Sequence, residues 1–243
     1  ASRAANHAQL KALPLPLKFS ETWKYTKLTV LENGYLRAIS PAADAPADLP
    51  DFGMPRLVIV NGRLPANLPA VAGIEITPLA DAQLPGLANT TFAYLNGATL
   101  GAGLHLKVAK NVHPGTPLHI VFHSTGETPA HHNTRLVVEL EAGSRLELVE
   151  HYTGTGQVLS NSVTEIRVHD NAELVHCRLQ SEAPETLHIG QLAIAVARNA
   201  RARSWQFMQA STLKRNNVNV TLTGPGAELS MNGAFIARGR SHV

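Results

Sequence analysis

The sequence predicts a mainly β protein wound as a parallel β-helix, or solenoid, with a small N-terminal α/β segment. Two observations carry that expectation. Turn-like stretches recur through the second half of the chain as HPGTPL, EAGSRL, HDNAEL, ARNARA and GPGAEL. The residues at the equivalent place in each are Thr116, Ser144, Ala172, Ala200 and Ala227, separated by 28, 28, 28 and 27 positions. Residues of like chemistry also fall in register around these turns. Val138, Ile166, Ile194 and Leu222 align before the turn, as do Leu140, Val168 and Val196; Leu118, Leu146, Leu174, Ala202 and Leu229 follow it. A fixed period with apolar columns is what a solenoid requires, because each coil buries its apolar side only against the coils above and below. Within one period the residues alternate between two faces, as in RLVVELEAGSRLELVEHY, so the runs read as strands. An antiparallel meander would also give short strands, but it calls for the same two-residue hairpin pair at each corner. The corners here vary between Ala-Gly, Asp-Asn, Arg-Asn and Gly-Pro-Gly.

The elements follow in chain order. Residues 1–40 form an N-terminal segment with a short helix expected over Ala4–Leu13, ended by Pro14 and Pro16. Asn33-Gly34 between apolar pairs predicts a small hairpin, since Asn-Gly tolerates the positive φ of a tight turn. Residues 41–103 read as a linker and a small α/β subdomain. Pro41, Pro46, Pro50 and Pro55 keep the stretch from Ser40 to Pro55 out of a sheet interior. A second hairpin is expected where Asn61-Gly62 closes the strand Leu57–Val60, and a weak helix over Leu84–Leu95. Residues 104–243 are the β-helix coils, expected to be incomplete at the C-terminal end. Asn133 and Asn161, 28 apart and each followed by a hydroxyl residue, predict an asparagine ladder that Ile189 interrupts in the next coil.

Composition narrows the function classes. The chain has 243 residues, 44% of them apolar, which suffices for a large core, and a net charge of only +3. Its basic residues are scattered, whereas nucleic-acid binding draws on clustered cations, so no nucleic-acid partner is expected. No run approaches the ~18 apolar residues of a spanning helix, so no membrane association is expected. Cys177 is the only cysteine. It can form no intrachain disulfide, and a reducing, cytoplasmic setting is the easier fit.

Candidate chemistry is sparse. Among the 12 histidines, His123 and His151 lie 28 apart and are expected to stack in adjacent coils. Leu179 and Phe207 come next in that column, so a four-ligand metal set is lacking, and a rim pair is the preferred reading. His131-His132 reads as an exposed turn. Cys177 and His176 are neighbours on a strand and point to opposite faces; with Val121, Val149 and Trp205 in its column, Cys177 reads as a small buried hydrophobe. No repeated pair of acids suggests a polysaccharide hydrolase, and NGATLGAGLHL lacks the Gly-Lys-Ser/Thr ending of a phosphate loop. No catalytic, cofactor-binding or metal-binding residue is assigned. The competing functional classes are a carbohydrate-active or carbohydrate-binding β-helix and a histidine-based metal store.

The stretch SETWKYTKL, residues 20–28, resembles the ENWKYT-x-L segment near the N-terminus of SufD-type members of the SufB/SufD family of iron-sulfur cluster assembly scaffold proteins. The resemblance continues through RLVIVNGRLPANL and VELEAGSRLELVEHYTG to GPGAELSMNGAFIARGRSHV, nearly the whole chain. Trp23 and Tyr25 offer large amphipathic surfaces that could pin the N-terminal segment onto the solenoid. The resemblance implies a right-handed parallel β-helix and a non-catalytic scaffold role beside SufB-like and SufC-like subunits. It implies too that an iron-sulfur cluster is handled by the complex and that no cofactor is bound by this chain alone. Family members continue into further coils and a helical region that contacts SufC, so the chain is expected to be C-terminally truncated. A bare last coil would present unpaired strand edges, which adds homodimerisation to the expectations.

Overall fold

A computed structural model describes residues 3–13, 21–26, 28–79, 90–101 and 103–237. Its elements are α1 (Arg3–Ala12), 3-10 turns at Glu21–Trp23 and Leu28–Asn33, β1 (Arg56–Val60), β2 (Glu75–Pro78) and α2 (Thr91–Thr99). The solenoid strands follow: β3 (Gly103–Val108), β4 (Leu118–Leu140), β5 (Arg145–Val168), β6 (Glu173–Gln180), β7 (Leu187–Val196), β8 (Arg201–Gln209), β9 (Leu213–Leu222) and β10 (Glu228–Ile236). Among the named strands every pairing is parallel except that of β2 with β3.

The chain winds as a β-solenoid with two sheet faces. β4 and β5 are long enough to turn a corner and serve both. The first face stacks β1, the first half of β4, the first half of β5, β6, β8 and β10. The second stacks β3, the later halves of β4 and β5, β7 and β9. Leu106, Val138, Ile166 and Ile194 are consecutive partners on the second face and are buried in one apolar core. Leu146, Leu174, Ala202 and Leu229 form the corresponding row on the first.

The turns between coils share one backbone solution. Asn111, Gly143, Asn171, Asn199 and Gly226 all have positive φ, between 54° and 71°. Asparagine and glycine tolerate that conformation where branched side chains do not. Each of the first four donates its N–H to a carbonyl of the next turn: Ala142, Asp170, Arg198 and Pro225. The variable corner residues thus satisfy one shared requirement, and the ladder runs on through the corners.

The repeat is not uniform, and columns at both ends shift. Two extra residues between Gly126 and Ala130 change the offset between β4 and β5. Before that bulge Leu118 pairs with Leu148 rather than Leu146, and after it Val138 pairs with Ile166. At the other end Ile194 pairs with Val220 and Val196 with Leu222. Leu222 therefore belongs to the Leu140, Val168 and Val196 column, because the corner from β8 to β9 is two residues shorter than that from β6 to β7.

Two local expectations are corrected. Asn33-Gly34 makes no hairpin: Leu28–Asn33 is a 3-10 helix that buries Leu28 and Leu31, and Gly34 at φ 101° ends it. The apolar residues there answer to packing against the solenoid, which outweighs the pair's turn preference. Asn61-Gly62 does form the tight turn, with Val60 and Arg63 exchanging both backbone hydrogen bonds. The strand before it, however, joins β4 rather than a hairpin partner. Of the helix expected over Leu84–Leu95, residues 84–89 lie outside the described residues; α2 begins at Thr91, capped by Thr90 Oγ1 accepting from Ala93 N–H.

Candidate functional site

The inward side chains are apolar on one side of the solenoid cross-section and polar on the other. On the first face Ile120, Glu150, Arg178 and Gln206 are consecutive partners, so a carboxylate and a guanidinium meet inside the coil stack. Glu150 is fully buried. It accepts from Arg178 Nε (3.0 Å), His176 Nε2 (2.9 Å), Tyr152 Oη (3.1 Å) and Thr164 Oγ1. Burial alone would raise its pKa, but Arg178 and His176 outweigh that and hold the carboxyl far below its usual range. His176 then accepts at Nδ1 from Ser204 Oγ, 3.0 Å away.

A second cluster lies one corner away. Glu182, in the segment between β6 and β7, accepts from Lys214 Nζ (2.6 Å) and His188 Nδ1 (2.5 Å). Burial opposes ionisation here too, yet His188 and Lys214 hold Glu182 at about 2. His188 is pushed down by its own burial and is read as the neutral imidazole, its Nε2 accepting from Ser162 Oγ at 2.9 Å. Ser162, His188 and Glu182 therefore have the connectivity of a nucleophilic triad, and so do Ser204, His176 and Glu150. All six side chains are buried, and no substrate carbonyl can reach either serine without opening the stack. Chemically, the arrangement neutralises buried charge and fixes the coil register.

The expected site residues are placed as follows. Asn161 donates to Asn133 Oδ1 (2.8 Å) and to Phe92 O (3.0 Å), and Ile189 is its partner in the next coil. Asn96 of α2 donates to Thr134 O and Asn161 O, both at 2.9 Å, so the two asparagines also dock a helix. Trp23 lies against Phe92 (centroids 5.1 Å apart) and under the Arg215 guanidinium, 4.0 Å from its centroid. Arg215 also donates to Thr26 Oγ1 at 2.9 Å. The WKYT segment thus grips the fourth coil through Trp23 and Thr26. Tyr25 takes no part, being 81% exposed.

The histidines require correction. His123 and His151 do not stack: the extra residues of the first coil pair His123 with Thr153 and His151 with Val121. His151 instead stacks on His119 (5.5 Å), with Phe52 of the connector over both rings. That cover makes them buried rather than rim groups, and burial lowers His119 to about 4. His131 and His132 are buried within β4, beneath the N-terminal segment, and not in an exposed turn. His131 bonds Tyr35 O at 3.0 Å and His132 bonds Ser124 Oγ at 3.1 Å. Cys177 lies half-buried on the outer face between Val149 and Trp205, without Val121, and burial raises its thiol pKa. Among the described residues no group of three or more histidine, cysteine or acidic side chains could hold a metal ion.

The ion clusters escaped the sequence reading although half of the signal was present. Glu150 and Arg178 are separated by 28 residues, the repeat length, as are His176 and Ser204. Glu182 sits in a corner, where no periodicity marks it.

Fold and site together define a parallel β-solenoid protein with a buried polar centre. Comparison with known proteins places it further. Residues 122–243 match the family model for the SUF system FeS cluster assembly SufBD core domain, and the chain belongs to that SufBD family. It is 30% identical over 239 residues to the iron-sulfur cluster assembly protein SufD of Escherichia coli, covering 92% of this chain and 56% of that protein. It is 27% identical over 244 aligned positions to an iron-sulfur cluster assembly SufBD family protein of Synechocystis, covering 87% and 54%. A shorter match, 32% over 99 residues, joins it to the chloroplastic protein ABCI7 of Arabidopsis thaliana. The chain thus spans a little over half the length of the first two relatives.

Proposed function

We propose that this chain is part of a SufD-like, non-catalytic scaffold subunit of a cytoplasmic iron-sulfur cluster assembly complex, acting with a SufB-type partner and a SufC-type ATPase. On this reading the cluster is cargo of the complex, and the chain by itself holds no resident cofactor. The observation that carries the proposal is the family match joined to a polar centre closed to substrate. Both serine–histidine–glutamate arrays are spent on holding coils together, and the single thiol is half-buried with its pKa raised, unlike an activated nucleophile. What the fold offers a partner is a long rigid stack with defined outer faces.

The test is co-purification. The longest reading frame containing this sequence is expressed with the SufB-type and SufC-type proteins of the same organism. A stable complex retaining all three is expected; recovery of the other two without this chain would reject the scaffold role.

A further inference from the structure

The outer edge of β1 is where the fold leaves recognition chemistry unused. Among the described residues β1 pairs with β4 on one side only, whereas the corresponding edge of β3 on the second face is covered by β2. The register shows which backbone groups remain. Pro55 O accepts from His119 N–H, and Asn61 N–H donates to His123 O. Alternate residues of a parallel strand direct both backbone groups to the same neighbour, so Leu57 and Ile59 serve β4 while Arg56, Val58 and Val60 point away. Val60 is occupied by Arg63 across the tight turn. The N–H and C=O of Arg56 and Val58 are left, on the side of a cleft of about 600 Å³ that runs along β1.

The walls of that cleft suit an extended chain. Leu64, Pro65, Leu68 and Pro69 supply apolar surface, and Arg56 and Arg63 mark the two ends of the strand. Arg56 donates to Leu49 O and Pro50 O at 3.1 and 2.9 Å and lies 3.9 Å from the Asp51 carboxylate, which offsets its charge. Arg63 is exposed and has no ion-pair partner among the described residues. One acid, Asp44, lines the same cleft, and with Arg56 offset by Asp51 the lining cation left to meet a ligand is Arg63.

We propose that the free edge of β1 is a docking groove for an extended, acidic segment of a partner protein, which adds to the first face as a further strand. Main-chain bonds to Arg56 and Val58 would supply affinity, the leucine and proline wall would take alternate side chains, and Arg63 would select for carboxylates.

The probe is a capped seven-residue peptide of alternating valine and glutamate, added to the full chain. Two controls are its lysine counterpart and the acidic peptide N-methylated at alternate amides. Saturation with the acidic peptide is expected to slow hydrogen exchange of the Val58 amide at least about tenfold. The lysine peptide should bind at least about tenfold more weakly, and the N-methylated one should give no protection. Val58→Pro removes an outward N–H from an edge strand, where proline is tolerated, and should abolish binding without lowering the unfolding midpoint. Arg63→Glu, on the exposed turn, should reverse the preference between acidic and lysine peptides even if the proline variant unfolds. Unchanged exchange at Val58, or equal binding by the N-methylated peptide, overturns the proposal. So does a dimer of the chain that Val58→Pro dissociates, since that would give the edge to a second copy.

Discussion

Replacing Glu150 by glutamine tests the account of the polar centre most directly. The side chain keeps its size, but its one amide oxygen can replace only one of the two carboxylate oxygens that accept from Tyr152 and His176, and Arg178 is left as a buried cation without its carboxylate. Removing one partner of a buried ion pair costs about 3–5 kcal/mol. Domains of ordinary stability hold only about 5–15 kcal/mol in total, so the loss is a large fraction. Arg178→Met should cost less, because the stranded carboxylate retains His176 Nε2 and the Tyr152 and Thr164 hydroxyls. The double variant carries no unpaired charge and is expected within about 2 kcal/mol of the parent, since buried pairs often exchange for neutral groups at little cost. The coupling energy from the cycle should then reach about 3 kcal/mol or more. Urea unfolding at pH 7, followed by tryptophan fluorescence and circular dichroism, measures all four proteins. If the double variant loses the sum of the two single losses, the charges do not compensate one another and the reasoning fails.

Three further outcomes follow from the geometry. Trp23→Ala and Arg215→Ala should each destabilise, the former by about 2 kcal/mol from lost packing, with a coupling near 1 kcal/mol; Tyr25→Ala should stay within about 0.5 kcal/mol, and a larger loss would mean that the exposed ring is held after all. Asn161→Ala strands Phe92 O and Asn133 Oδ1 in a buried interface and should cost about 2 kcal/mol, read as a drop in thermal midpoint, with an unchanged midpoint counting against the ladder. Acid should destabilise in two stages. His132 is held at about 3, below its ordinary 6.5, chiefly by burial, so the unfolded chain binds the proton first and stability falls as pH drops from 6.5. At about 1.4 kcal/mol per unit this removes about 3 kcal/mol by pH 4.5, below which Glu182, held at about 2, adds its own loss. A urea midpoint flat between pH 6.5 and 4.5 would contradict the assignment of a neutral buried His132.

Part of this protein was legible in the order of its residues alone. Equal spacing of turn residues fixed the stacking direction, because only coils lying above one another bring Val138, Ile166 and Ile194 into one row. The same spacing aligned Asn133 with Asn161, and the short range of a backbone turn made Asn61-Gly62 recognisable. What depends on a count of inserted residues elsewhere was not local. Two additional residues in the first coil and a shortened corner in the fourth moved His123 away from His151 and Leu222 away from Ile194, since a stacked strand has no memory of where its neighbour's loop was lengthened. Burial was decided at still longer range. His151 and His131 read as rim and turn groups until the connector and the N-terminal segment, distant in sequence, are laid over them. The charged centre combines both lessons. Glu150 and Arg178 meet because the period says they must, whereas Glu182 finds His188 and Lys214 only because a corner folds inward, where desolvation makes every unpaired charge too costly to leave alone.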